Sequence, residues 1–342
     1  MTKRIVIIIL LLLSVRSAYS QHIANYAGEF LQLGAGARSL GLGGAAIAIS
    51  EDVTAGYWNP AGLPALDYPM IGGMHDAKFN NTVQYDYGAI ALPLGRSATV
   101  ELSVFHIGIN NIKDTRNAFI DRSGTGTFDG ENYLDYTKVT TFGNYDWGVY
   151  LSYGQAKDST FSYGATVKFI IRKLDADNKA TGIGFDAGVR YKPMPNLTLA
   201  AVGQDITTTL LSYTSGTKEL VSPTLKLGAA YSIDLFSNMM HTIIPVADLD
   251  IRFEGRKQIS QVYLGPLSGD IHLGLEYQFK KIVAIRVGYS DIKALTLGAG
   301  IHLPKLSIDY AFQKFDAQDQ LGNSHRISFA FSLEREKWKR VQ

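Results

Sequence analysis

Two glycine-rich runs near the start of the chain, Gly34-Ala35-Gly36 and Gly41-Leu42-Gly43-Gly44, have the composition of a loop that cradles phosphate. A Walker loop needs Gly-Lys-Ser/Thr at fixed spacing, and a dinucleotide loop needs a βαβ unit around it; neither is present. Close packing of small residues against another backbone is the reading these glycines support. Ser123-Gly124-Thr125-Gly126 with Asp129-Gly130-Glu131 offers oxygen ligands to a cation. It lacks the spacing of a calcium loop and reads as an exposed turn. The histidines, at 22, 75, 106, 241, 272, 302 and 325, form no His-Glu-x-x-His pair. His272, near Glu276, reads as a paired interior polar residue. No Gly-x-Ser-x-Gly elbow occurs. The 0 cysteines exclude a thiolate nucleophile, a cysteine metal site, a disulfide framework and a lipid-modified cysteine anchor. These residues point to no enzyme, no metal and no cofactor. A net charge of +2 over 342 residues also lacks the basic excess of a nucleic-acid binder.

The elements that hold these residues are strands. Ile271, Leu273, Leu275, Tyr277 and Phe279 enclose His272, Gly274, Glu276 and Gln278, and Ile327, Phe329, Phe331 and Leu333 enclose Ser328, Ala330 and Ser332. Successive side chains on a strand point to opposite faces, so each run has one apolar face and one small or polar face. Strand runs are predicted at 69–75, 82–93, 97–109, 145–156, 161–175, 180–191, 197–204, 224–233, 243–252, 270–278, 283–289, 294–302, 306–312 and 325–333. About fourteen is an even number, as in bacterial single-chain membrane barrels. The third run changes phase near Val104-Phe105, which predicts a bulge.

Two architectures alternate in this way: a soluble sandwich with its apolar face inward, and a membrane barrel with its apolar face toward lipid. The connections favour the barrel. Leu94-Gly95-Arg96, 157–160, 192–196, 280–282 and Pro304-Lys305 are tight, while 110–144, 205–223, 253–269 and 313–324 are long, so up-and-down order segregates most turns from loops. Trp147, Leu151, Tyr153, Phe161, Tyr163, Phe169, Ile183, Phe185 and Tyr191 fall on the apolar face. Lys168, Arg172, Asp186, Arg190, Lys226, Asp248, Asp250, Arg252, Glu276, Arg286 and Asp309 fall on the other, where both signs can pair inside a lumen.

The N-terminus reads as a signal peptide over residues 1–20. Lys3 and Arg4 precede an apolar block, Ile5 to Leu13, that is too short to span a bilayer, and Ala18-Tyr19-Ser20 is a cleavage site. Residues 21–67 are a Gly/Ala-rich segment, 68–333 the barrel, and 334–342 a charged tail whose bland reading is a solvated one.

Arg38-Ser39-Leu40-Gly41-Leu42-Gly43-Gly44-Ala45, followed by Glu51-Asp52-Val53-Thr54-Ala55-Gly56-Tyr57-Trp58-Asn59-Pro60-Ala61-Gly62-Leu63, resembles the N-terminal signature of the PorV/PorQ family within the wider FadL-like outer-membrane barrels. The resemblance implies an all-β transmembrane barrel of about fourteen strands with the N-terminal segment as a hatch in the lumen. It also implies an accessory role in type IX protein secretion in Bacteroidota-like bacteria, with secretion-system proteins or secreted cargo as partners. The wider resemblance allows a hatch-gated channel for hydrophobic solutes instead. Arg38, Gly41, Gly43, Gly44, Asp52, Trp58, Asn59, Pro60, Ala61 and Gly62 are the expected hatch residues. Leu210, Leu211 and Tyr213, in a polar loop, are expected either at the rim, touching cargo or solute, or packed on a neighbouring loop. The expected surroundings are outer-membrane lipid, with both termini periplasmic and no nucleic acid.

Overall fold

The computed structural model describes residues 28–79, 81–127, 132–175, 178–236, 240–253, 260–314 and 322–340. The signal peptide, His22 and Asp129-Gly130-Glu131 lie outside the described residues.

Fourteen antiparallel strands form one closed wall. They are β1 Met70–Lys78, β2 Val83–Leu94, β3 Ala98–Asp114, β4 Thr140–Ala156 and β5 Phe161–Lys173. β6 Lys179–Met194, β7 Leu197–Gln204, β8 Thr224–Tyr231, β9 His241–Arg252 and β10 Leu267–Phe279 follow. β11 Val283–Tyr289, β12 Leu295–His302, β13 Leu306–Lys314 and β14 Ser324–Ser332 complete the ring. Each strand pairs with its neighbours in sequence, and β1 pairs with β14 from Met70↔Ser332 to Ala77↔His325, so no edge is left open. Closure matters because hydrocarbon cannot satisfy an unpaired backbone amide or carbonyl.

The alternation settles which side is inside. Outward positions of β10 (Ile271, Leu273, Leu275), β11 (Ile285, Val287) and β14 (Ile327, Phe329) are exposed. The intervening positions are buried although many are charged: Glu276, Arg286 and Arg326 are each at most 1% exposed. A soluble sandwich would show the reverse. This is a transmembrane β-barrel.

The tight connections fall at one end, as expected, but the opposite end also has short ones at 79–82, 174–178 and 290–294. At the turn end, Ile282 N–H donates to the Phe279 carbonyl at 2.9 Å, and Lys280 and Lys281 both have positive φ, the sign a type I′ turn requires.

Three expectations change. β3 carries no bulge at Val104-Phe105: its register with β2 is continuous from Ala98 to Ile109. The apparent phase change arises because Phe105 and Ile107 point inward, where an apolar cluster receives them. The irregularity lies at Asn110-Asn111, between Ile109 and Ile112, where Asn111 has φ 60°. Second, the loop 205–223 largely continues the wall. After an interruption at 205–208, Thr209–Tyr213 pairs with the upper part of β6, and Lys218–Val221 pairs with it and leads into β8. Third, the tail is exposed at Arg335, Glu336, Trp338 and Lys339, as its solvated reading expects, but Arg340 docks on the wall. The Arg340 guanidinium donates to the carbonyls of Leu66 (2.7 Å) and Ala98 (2.8 Å) and to the Thr99 hydroxyl (2.6 Å).

If the outer face meets lipid, Leu275→Arg, near the middle of β10, should destabilise the barrel by about 2–4 kcal/mol in vesicles. Unfolding from vesicles in urea measures this; a water-facing position would show almost no change.

Candidate functional site

Residues 28–66 run against the inner face of the wall. Four short helical segments organise them: 3-10 segments at Glu29–Gln32 and Pro60–Ala65, and two α-helical turns, α1 Ala37–Gly41 and α2 Ala55–Trp58. Segments this short have no stability of their own, so the wall must supply it.

It does so with inward charges. The Arg38 guanidinium makes a forked bond to Glu276, Nε–Oε2 at 2.9 Å and Nη2–Oε1 at 2.8 Å. The same carboxylate accepts from Arg286 Nε at 2.5 Å and Gln278 Nε2 at 2.7 Å. Arg286 Nη1 continues to Asp309 at 2.7 Å, and Asp309 to His302 at 3.0 Å. Burial alone would lower the Arg38 pKa; Glu276 more than offsets it, so the guanidinium is held firmly charged. Elsewhere Asp248 Oδ2 accepts from the amides of Ala46 (2.7 Å) and Ile47 (3.0 Å). Arg326, paired to Asp76, donates to the carbonyls of Gly34 (2.8 Å) and Leu33 (2.9 Å). Wall side chains thus satisfy backbone groups that no helix or sheet satisfies.

The glycines allow contact at backbone distance. A Cβ on Gly41 would lie 3.1 Å from the Gly298 Cα on β12. Gly43 has φ 69°, and a Cβ there would come within 2.6 Å of the Tyr289 backbone nitrogen. Gly44 sits against the His272 ring, and a Cβ on Gly62 would overlap the Ser50 carbonyl oxygen. Asp52 Oδ1 accepts from the Thr54 amide (2.7 Å) and hydroxyl (2.6 Å), fixing the entry to α2. Trp58 Nε1 donates to the Ala35 carbonyl at 2.8 Å. Asn59 Nδ2 donates to the Ile47 carbonyl at 3.0 Å and, across to β6, the Val189 carbonyl at 3.3 Å; its Oδ1 accepts from the Ala61 amide at 3.0 Å. Pro60 packs on the glycines of β4 and β5, and the Ala61 carbonyl accepts from Ser162 at 2.6 Å. The ten motif residues therefore gather on one inner segment.

An apolar cluster completes the packing. Tyr57 stacks on Tyr150 at 5.9 Å between centroids and meets Trp58 edge-on at 5.3 Å. Its hydroxyl donates to the Leu31 carbonyl at 2.6 Å and accepts from the Gly34 amide at 2.9 Å. Burial pushes that hydroxyl up to about 12, so it remains a donor.

Two expected contacts differ. His272 turns from Glu276 to the Gly43 carbonyl (2.8 Å) and Asp250 (3.6 Å), because residues four apart on a strand share a face without touching. Of the expected rim residues, Leu211 is fully buried against Ile170, Leu210 lies on the outer face opposite Ile183, and Tyr213 turns inward to Arg172 and Glu219. Arg326 and Asp76 were missed by sequence reading. Arg326 was detectable, since it alternates with outward Ile327; Asp76 lies one residue past the run predicted at 69–75.

The segment leaves a cavity on either side. On the turn side, about 300 Å³ is lined by residues including Arg38, Glu51, Met70, Met74, His302 and Ser307. On the loop side, about 260 Å³ is lined by residues including Leu33, Trp58, Phe79, Asp250, His272 and Ile292. The α1 turn lies between them, with Arg38 and Ser39 facing one and Leu40 the other.

No protein-family model matches the chain, and no curated relative matches its sequence. Solved structures match its fold. The P. putida toluene transporter TodX aligns with TM-score 0.61 at 12% identity, over 89% of this chain and 100% of that one. The chain has the FadL-type barrel fold. The Ralstonia pickettii toluene transporter TbuX gives 0.57 at 14% identity (89% and 100%), and a Pseudomonas aeruginosa FadL homologue 0.54 at 12% (87% and 98%). At these identities the FadL-type likeness is one of fold.

Removing Glu276 leaves the Arg38 and Arg286 guanidiniums buried without their shared partner. Glu276→Ala should cost about 3–5 kcal/mol in a urea melt, and loosening of residues 28–66 should appear in limited proteolysis. Glu51, at the turn side, is also held by the wall: burial would raise its pKa, but Arg190 and Lys192 override this and lower it below 4.5. Its contribution is complete above pH 4.5 and is lost as pH falls through the depressed value. Acid melts of wild type and Glu51→Gln should converge at low pH and separate above that window.

Proposed function

We propose that this chain is an outer-membrane channel for small hydrophobic solutes, with residues 28–66 as a movable hatch. The observation that carries the reading is the pair of cavities facing each other across the single α1 turn. A solute held on the loop side needs only that turn to shift to reach the turn side. The hatch rests on the wall through side-chain bonds, with no strand pairing to break. TodX and TbuX are toluene transporters, and sharing their fold supports this reading above a secretion role. The long loops would face the exterior and the tight turns and both termini the periplasm.

The accessory role in type IX secretion rests on the N-terminal motif alone. Its test is separate: deletion would strand cargo proteins in the periplasm, and unaltered secretion and surface display would remove the idea.

The channel reading predicts that a locked hatch blocks passage. The Ala37 amide donates to the Ser328 hydroxyl at 3.0 Å, and the chain has 0 cysteines to interfere. In proteoliposomes, the Ala37→Cys/Ser328→Cys pair should pass toluene when reduced and not when oxidised. Equal flux in both states would mean the segment does not gate.

A further inference from the structure

The loop-side cavity is greasy on one side only. Leu33, Leu40, Trp58 and Ile292 contribute apolar surface, and opposite them stands a cluster on β9 and β10 centred on Asp250. The cations around it are already committed. Lys226 bonds Asp250, Lys78 bonds Asp76 at 3.2 Å, Arg252 bonds Asp270 at 3.0 Å, and Arg326 bonds Asp76 at 2.7 Å. Three buried side-chain atoms of residues on the cavity lining have no hydrogen-bond partner among the described residues: Asp250 Oδ1, Arg252 Nε and His272 Nε2. Their residues are 2%, 3% and 8% exposed.

The chemistry of these three atoms is specific. A carboxylate oxygen only accepts and an arginine Nε–H only donates. The Gly43 carbonyl can only accept, so His272 Nδ1 carries a proton toward it, while Nε2 faces the Asp250 carboxylate. Nε2 lies 3.6 Å from Asp250 Oδ2, the oxygen that Lys226 also meets, so His272 belongs to the Asp250 cluster and is not free for a solute. The wall therefore offers one acceptor, Asp250 Oδ1, and one donor, Arg252 Nε, and leaving them unmet when a solute displaces water is costly. A plain hydrocarbon meets none of them. An anion meets one donor and finds the Asp250 carboxylate, with Glu29 and Asp291 also on the lining. A hydroxyl group both donates and accepts, and answers the set.

We infer that the loop-side cavity is a binding site for small neutral solutes that carry a hydroxyl on a one-ring apolar body, seated with the ring on Trp58 and the hydroxyl between Asp250 and Arg252. The inference rests on the channel reading and narrows it. About 260 Å³ accommodates a single ring, since a cavity of roughly 150 Å³ takes benzene. The polar wall acts as a selectivity element at the outer entrance: it favours hydroxylated rings over hydrocarbons of equal size before either reaches the hatch.

Equilibrium dialysis of the full-length barrel in lipid nanodiscs against phenol, toluene and benzoate tests this with three probes of one shape. Phenol should bind about tenfold more tightly than toluene, the scale of one or two net hydrogen bonds, and benzoate weakest. Asp250→Asn and Arg252→Met should each erase the preference for phenol while leaving toluene binding in place. The variant Arg96→Gln, in the exposed turn after β2 and outside the cavity, should keep it. Equal binding of phenol and toluene, or a preference that survives both variants, would overturn the inference and leave the channel reading standing. Tightest binding of benzoate would overturn it in favour of an anion site. Binding of none of the three would overturn it together with the channel reading.

Discussion

A cylinder of strands in hydrocarbon has one place to put its charges, and that constraint organises this protein. With apolar side chains committed to lipid on alternate positions, every remaining side chain points into a lumen too narrow to hydrate them all. The wall contributes Lys168, Asp186, Arg190, Asp248, Asp250, Arg252, Glu276, Arg286, Asp309 and Arg326 to that space. Isolated, each would be expensive to bury; paired and hydrogen-bonded, they become a surface that another segment can dock on. Residues 28–66 are that segment, and their irregular backbone is suited to it. A regular helix would have kept its amides and carbonyls to itself. A chain of short helical segments leaves carbonyls at 33, 34, 47, 49 and 61 and amides at 46 and 47 for wall and segment side chains to meet.

This arrangement makes attachment strong and divisible at once. The contacts are discrete side-chain bonds distributed round the ring, each able to break without its neighbours. A segment held by strand pairing would move all together or remain fixed. Here α1, held by Glu276 and by close approach to Gly298, can in physical terms move while Pro60–Ala65 stays packed on β4 and β5. Proline at 60 and 64 and the aromatic cluster around Tyr57 make that end rigid, and glycine at 34, 36, 41, 43 and 44 makes the other end compliant.

Much of this was legible because the lipid imposes period two on every strand. Parity along β10, β11 and β14 separates the outward apolar residues from the inward charges without any knowledge of the partners, and the fourteen runs emerge nearly in register with the strands. Parity misled where the lumen itself is apolar: Phe105 and Ile107 look outward by composition and point inward, because the aromatic cluster of Tyr57, Tyr85 and Tyr150 lies there. The pairings were not legible. Arg286 meets Glu276 and Asp309 because β10 pairs with β11 and β13 stands one strand beyond, across β12, at particular registers, and His272 meets Gly43 because a distant segment arrives beside it. The loop at 205–223 deceived for a related reason. Its polar composition is that of an exposed loop, yet β6 offers an unpaired upper half, and pairing with it satisfies backbone that water would otherwise have to serve.

The interruption at 205–208 shows how far the wall will go to keep its polar groups matched. Asp205 and Thr208 take positive φ, uncommon for residues with side chains, so the strand leaves the ladder for four residues and then resumes along β6. At the break, buried Lys168 bridges Asp186 at 2.7 Å and Asp205 at 2.5 Å, the Asp205 amide donates to Asp186 at 2.8 Å, and the Thr209 hydroxyl donates to Asp205. The ladder bonds lost at the break are replaced by a charge-assisted set built on one lysine. The same logic that docks the N-terminal segment thus also mends the wall here: where the backbone pattern stops at 205–208, inward charges with named partners take over the satisfaction of what is left. A barrel built this way tolerates irregular chain inside and along its circumference, provided that each irregularity falls within reach of a buried ion pair.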